Sequence, residues 1–199
     1  MLIIFCVLDG SGKTTQVKLL KNVLEKKTKK RIVTLSGYKP QSYMLILKQI
    51  SSTMGIKADT LFPAEIVSFA LLLDLWKNTK EVIIPEIQRG NIVITERYWD
   101  SSLIYAPILA KDKNFMKAII KSAIPKFPIP DISIYLDILP HTAYTRVKER
   151  EEVDVATKDS LELMKIVRKD YFKLMESMHN CLIIDANNDI KSVHEKIVE

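Results

Sequence analysis

The chain has 199 residues, of which 47% are hydrophobic and 27% charged, with a formal net charge of +6. That length suits one domain around one substantial core, and the composition is ordinary for a globular protein. No apolar run reaches the roughly 18 residues that a membrane span needs.

The excess of lysine suits anionic partners, but most of it reads as a solvated surface. The run Lys26, Lys27, Lys29, Lys30 and Arg31 has no interleaved aromatic residues, which weighs against a nucleic-acid patch. The two cysteines, Cys6 and Cys181, lack metal-ligand spacing and lie in apolar runs. They read as buried free thiols of a reducing cytoplasm.

Met1–Leu8 is apolar, with no basic segment before it and no small-residue cleavage site after it, so a buried first strand is expected rather than a signal peptide. Further strands are expected at Arg31–Leu35, Asn91–Thr95, Ile132–Leu136 and Cys181–Ile184, the first running Leu2–Val7. Their near-continuous apolar character predicts burial on both faces, as in a parallel sheet. Between them, helices are expected over Thr14–Lys26, Gln41–Ser51, Ala64–Arg89, Ser101–Leu109, Lys113–Ala123, Pro140–Arg150, Lys158–Met178 and Ile190–Val198. Ala64–Arg89 is long for one helix, and Thr79 and Pro85 mark a bend or break in it. The alternation predicts an α/β three-layer fold with roughly five parallel strands and a single domain spanning 1–199.

The segment Val7-Leu8-Asp9-Gly10-Ser11-Gly12-Lys13-Thr14-Thr15 follows the first strand and opens a helix. That is the context of a phosphate-binding P-loop. Without side chains at Gly10 and Gly12, backbone N–H groups can close around phosphate oxygens, and the helix start adds its positive dipole end. Lys13 can reach the β- and γ-phosphates of ATP, and the Thr14 hydroxyl can bind Mg²⁺. The general pattern G-x-x-x-x-G-K-[ST] wants glycine where this chain has Val7, a change that can alter the loop.

Gly90–Ser102 reads as a helix stop, a buried strand, and then charged residues at the strand's carboxyl end, where ligands gather in open α/β sheets. A carboxylate there, Glu96, can bind Mg²⁺ through water. Arg97 can form a charge-assisted fork with a phosphate. Further on, Arg146 and Arg150 are four apart and share one helix face. The three histidines show no catalytic spacing.

Leu8 through Gln16 match the thymidylate kinase P-loop residue for residue, and Pro130–Asp137 closely resembles that family's P-D-L-T-I-Y-L-D strand. Glu96-Arg97-Tyr98 with Ser101 resembles its Asp-Arg-Tyr motif and following Ser. Val167-Arg168-Lys169-Asp170-Tyr171 resembles its V-R-x-x-Y helix. The resemblance implies an enzyme that moves the ATP γ-phosphoryl group onto a nucleoside monophosphate, most simply dTMP, with Mg²⁺. It implies that Asp9, Gly10, Ser11, Gly12, Lys13, Thr14 and Thr15 hold ATP and that Thr14 and Glu96 serve the metal. Asp9, Lys13, Arg97, Arg150 and Arg146 would carry catalysis, the last two in a lid at about 146–158.

On the acceptor side the resemblance implies Asp9, Lys39, Phe69, Arg97 and Ser101, with Phe69 stacked on the base and Lys39 standing where the family has arginine. Asp9 also reads as a turn-forming residue, and Phe69 equally as a core aromatic. Two family arginines are absent, with Leu73 and Val155 at their positions. The loop after Asp185 would pass near the adenine, and a homodimer packed through helices is implied. The same residues leave open a deoxynucleoside kinase, or a nucleotide-binding module with little turnover.

Overall fold

The apolar runs form β1 (Leu2–Val7), β2 (Ile32–Ser36), β3 (Ile92–Glu96), β4 (Ile132–Asp137) and β5 (Cys181–Asp185). They build one sheet in the order β2-β3-β1-β4-β5, with every pair parallel. This computed structural model describes residues 1–36, 42–149, 161–178 and 180–199. Central β1 is buried along its whole length, whereas the edge strands β2 and β5 alternate or lie partly exposed. Continuous apolar sequence thus marks the centre of the sheet, where helices cover both faces.

The flanking helices are α1 (Lys13–Lys27), α2 (Tyr43–Thr53), α3 (Ala58–Leu61), α4 (Ala64–Asn78), α5 (Ile84–Gln88), α6 (Trp99–Leu109), α7 (Lys113–Ala123), α8 (Pro140–Lys148), α9 (Leu161–Glu176) and α10 (Ile190–Val198). The short α3 and a 3₁₀ turn at Ile124–Lys126 escape the periodicity of the sequence. Helix α6 begins two residues earlier than expected, because Tyr98 is extended and the turn closes at once behind it.

The long 64–89 segment stays helical throughout but loosens into a π turn at Thr79–Ile83 before α5. Pro85 has no N–H to continue the α-helical ladder, and its ring crowds the carbonyl four residues back. The π register accommodates this, with the Ile84 N–H donating to the Thr79 carbonyl.

One long-range contact fixes α2 to α4. The carboxylate of Asp74, 1% exposed, accepts from the backbone N–H groups of Ser42 (3.0 Å), Tyr43 (2.9 Å) and Met44 (3.1 Å). A helix start leaves such donors without intrahelical partners, and here a side chain from a neighbouring helix supplies the acceptor. Replacing Asp74 with Ala strands these donors in a buried setting. The expected loss is about 2 kcal/mol of unfolding free energy, read from the urea midpoint at unchanged slope.

Candidate active site

The chain turns sharply behind β1. Val7 remains inside the strand, paired with Leu136, and the turn falls on Asp9 and Gly10. The left-handed positions are Gly10 (φ 85°) and Gly12 (φ 88°), so the turn makes no demand for glycine at position 7. Gly12 precedes α1, and its carbonyl accepts from Thr15 and Gln16. Among the described residues no side chain caps α1, and its first turn carries no acidic residue. Its positive end faces the loop, the orientation an anion site uses.

Gly10 also has to be small. A Cβ there would collide with the carbonyl oxygen of Ala143, which is fully buried on α8. From the same helix the Arg146 guanidinium donates through Nη1 to the Gly10 carbonyl at 3.3 Å. The base of α8 thus lies flush against the P-loop.

Three charged groups converge at the loop's mouth. Lys13 Nζ lies 2.7 Å from Asp9 Oδ1, and Arg97 Nη2 lies 2.5 Å from that same oxygen. Burial by itself would raise the Asp9 carboxyl, but Arg97 and Lys13 overcome it and hold the group well below the usual carboxylate range. Burial and then Arg97 lower Lys13, with Asp9 opposing them. Beside this cluster the Thr14 hydroxyl donates to Glu96 Oε2 at 2.9 Å, bringing the start of α1 to the end of β3.

Arg97 is the one non-glycine residue with positive φ (66°) among the described residues. For a residue with a Cβ this conformation costs roughly 1–2 kcal/mol. Neighbours fix it. Its N–H donates to the Phe5 carbonyl (3.0 Å), and its carbonyl accepts from Thr95 Oγ1 (3.0 Å). The next N–H, that of Tyr98, donates to Asp100 Oδ1 (3.0 Å). The Arg97 guanidinium sits 5.2 Å from the centroid of the Tyr105 ring.

The structure therefore brings Asp9, Gly10, Ser11, Gly12, Lys13, Thr14, Glu96, Arg97 and Arg146 into one place. Thr15 is exposed on the first turn of α1. Ser101 is fully buried, its hydroxyl 2.7 Å from the Tyr171 hydroxyl. Phe69 is partly buried against the cluster of Ala106 on α6, Ala110 just behind it, and Met116 and Ile120 on α7. Lys39, Arg150, Val155 and most of the expected lid lie outside the described residues. Asp100, Asp74 and Tyr105 received no role from the sequence. Only the place of Asp100 directly behind Glu96-Arg97-Tyr98 signalled it.

The sequence profile of the thymidylate kinase family matches residues 8–197. This chain belongs to that family. It is 32% identical over 192 residues to a probable thymidylate kinase of Pyrococcus horikoshii, covering 96% of this chain and 90% of the relative. With a thymidylate kinase of Clostridium novyi it shares 32% identity over 195 residues, covering 95% and 92%. A thymidylate kinase of Buchnera aphidicola is 30% identical over 192 residues, covering 94% and 87%. The match to this phosphotransferase family takes in both the P-loop and the Glu96-Arg97 segment, the two halves of the cluster on Asp9.

Space at Gly10 separates the requirements of this thymidylate kinase family loop. Gly10→Ala should lower unfolding free energy by about 2–4 kcal/mol, from left-handed strain plus the clash with Ala143. Gly55→Ala, also at positive φ (65°) but with open space around it, should cost about 1 kcal/mol. Chemical denaturation of the two variants side by side checks the difference.

Proposed function

We propose that this chain transfers the γ-phosphoryl group of ATP to dTMP, giving dTDP and ADP. The sharing of one Asp9 oxygen by Lys13 and Arg97 carries the reading, because it sets a donor-side cation and an acceptor-side cation a few ångströms apart. Phosphoryl transfer needs little covalent chemistry from the protein. It needs two phosphates aligned and their charge neutralised.

Asp9 holds both cations. A polyphosphate entering the loop carries more negative charge than one carboxylate, so it draws Lys13 toward its β- and γ-oxygens. Backbone N–H groups of the loop and the start of α1 take the remaining oxygens. Arg97 stays on Asp9 and presents its other donors to the phosphate of dTMP. A phosphate oxygen of dTMP then forms a bond to the γ-phosphorus as the bond to the β–γ bridging oxygen breaks, and that oxygen leaves on ADP. Arg146, held at the Gly10 carbonyl, and Arg150 supply further positive charge, while Ser11 and Thr15 belong to the ATP cradle.

The Thr14 hydroxyl and Glu96 carboxylate fit Mg²⁺, a hard ion that takes oxygen ligands and keeps much of its water. When bound, Mg²⁺ offsets phosphate charge. Lys39 and Phe69 remain the proposed contacts to the acceptor's phosphate and base, with Ser101 behind Arg97.

Lys13→Ala should abolish transfer while leaving the fold intact by circular dichroism. Wild-type enzyme should phosphorylate dTMP in preference to other monophosphates and to thymidine, as a coupled assay at fixed ATP and Mg²⁺ would read. Turnover retained by Lys13→Ala, or absent with every acceptor, would sink the proposal.

We also propose a homodimer in the cytoplasm. No helix among the described residues is long and apolar enough to cross a membrane, and the free thiols suit a reducing compartment. Two packed helices leave apolar side chains exposed: Tyr43, Ile46 and Ile50 on α2, and Ile66 and Leu73 one heptad apart on α4. Burying them against a second copy removes a patch otherwise prone to nonspecific association. Light scattering should give twice the 22.8 kDa monomer mass, reduced to one copy by Ile66→Glu with Leu73→Glu; a wild-type monomer would exclude the dimer.

A further inference from the structure

We propose that Tyr171, on α9, is a positioning residue for Arg97. The inference rests on the reading that Arg97 grips the acceptor phosphate. Tyr171 is fully buried and contributes no atom to the P-loop mouth, yet two separate routes lead from it to Arg97.

The first route is hydrogen-bonded. The Tyr171 hydroxyl lies 2.7 Å from Ser101 Oγ, which lies 3.3 Å from Asp100 Oδ2. Asp100 accepts from the Tyr98 N–H through its other oxygen. With Asp100 ionised, the one hydroxyl proton of Ser101 goes to Asp100 and the hydroxyl of Tyr171 donates to Ser101. This carboxylate holds the peptide directly after Arg97. That peptide is where a positive φ must be maintained against its cost.

The second route runs through rings. Tyr135 stacks on Tyr171 with centroids 5.6 Å apart, and Tyr105 meets Tyr171 edge-on at 6.3 Å. Tyr105 then faces the Arg97 guanidinium. The backbone of Arg97 is thus steadied by the hydroxyl of Tyr171 and its head group by the ring. A residue needed only for core volume has no use for a hydroxyl here. Burying one costs free energy unless it is paired, and this one is paired into a chain ending beside Arg97.

Steady-state kinetics on the full-length Tyr171→Phe, Ser101→Ala and double variants test this, with Arg97→Ala as the control. Tyr171→Phe keeps the ring and removes the hydroxyl. It should lower kcat/KM for dTMP roughly tenfold, the effect of one lost hydrogen bond on a positioned group. The KM for ATP should stay within about twofold, since the P-loop is untouched. Ser101→Ala breaks the same chain and should match it, and the double variant should lose no more than the worse single one. If Tyr171→Phe does not fold, Ser101→Ala carries the same expectation.

Wild-type kinetics toward dTMP in both single variants, with Arg97→Ala inactive, would overturn the positioning role and leave the function standing. Parallel loss toward dTMP and ATP together with a lowered Tm would also overturn it, as plain loss of packing. Retained turnover in Arg97→Ala would instead overturn the function assigned to Arg97.

Discussion

One carboxylate oxygen organises this molecule. Asp9 Oδ1 receives the ammonium of Lys13 from the start of α1 and the guanidinium of Arg97 from the end of β3. Without that anion, two cations would face each other at close range in a partly buried cleft, where repulsion is weakly screened. Asp9 thus lets two cations stand side by side, the arrangement that the proposed phosphoryl transfer calls for. That arrangement matters because catalysis of phosphoryl transfer consists mostly of placing charge in advance.

The sheet makes this convergence possible. β1 and β3 are neighbours and parallel, with Phe5 beside Glu96 in register. The loop after β1 and the residues after β3 therefore emerge at the same edge, within reach of each other. β4 lies on the other side of β1 and delivers α8 to the same edge, so that Arg146 meets Gly10. Three segments more than forty residues apart in sequence meet because parallel strands all present their carboxyl ends on one side.

Much of this is legible in the sequence, for physical reasons. The P-loop is written in consecutive residues, since its function is local backbone geometry. The five strands are legible because burial on both faces leaves runs of apolar residues such as Leu2–Val7. Glu96 and Arg97 announce themselves as charges directly behind such a run. Asp74 and Tyr171 do not, because their roles are set across 31 and 70 residues of chain, and nothing nearby distinguishes Asp74 from any acidic residue on an apolar helix. Asp100 is intermediate. It sits in the expected motif, but its use as an internal acceptor beneath Arg97 depends on the fold that buries it there. The π turn at Thr79–Ile83 is foreshadowed by Pro85 but not specified by it, since proline can also kink or end a helix.

The departure at Val7 shows how a motif can vary without losing its physics. A glycine in the loop is obligatory where φ is positive or where a neighbour occupies the space of a Cβ. Gly10 meets both conditions and Gly12 the first. Val7 meets neither: it is an extended strand residue whose side chain is wholly buried in the core beside β4. A β-branched residue suits that position better than glycine does, since it fills volume and favours extended backbone. The constraint has instead moved to the contact between Gly10 and Ala143, where loop and helix must both be small. The P-loop of this chain is therefore specified partly by a residue 133 positions away from it, on the helix whose arginine holds the loop's carbonyl.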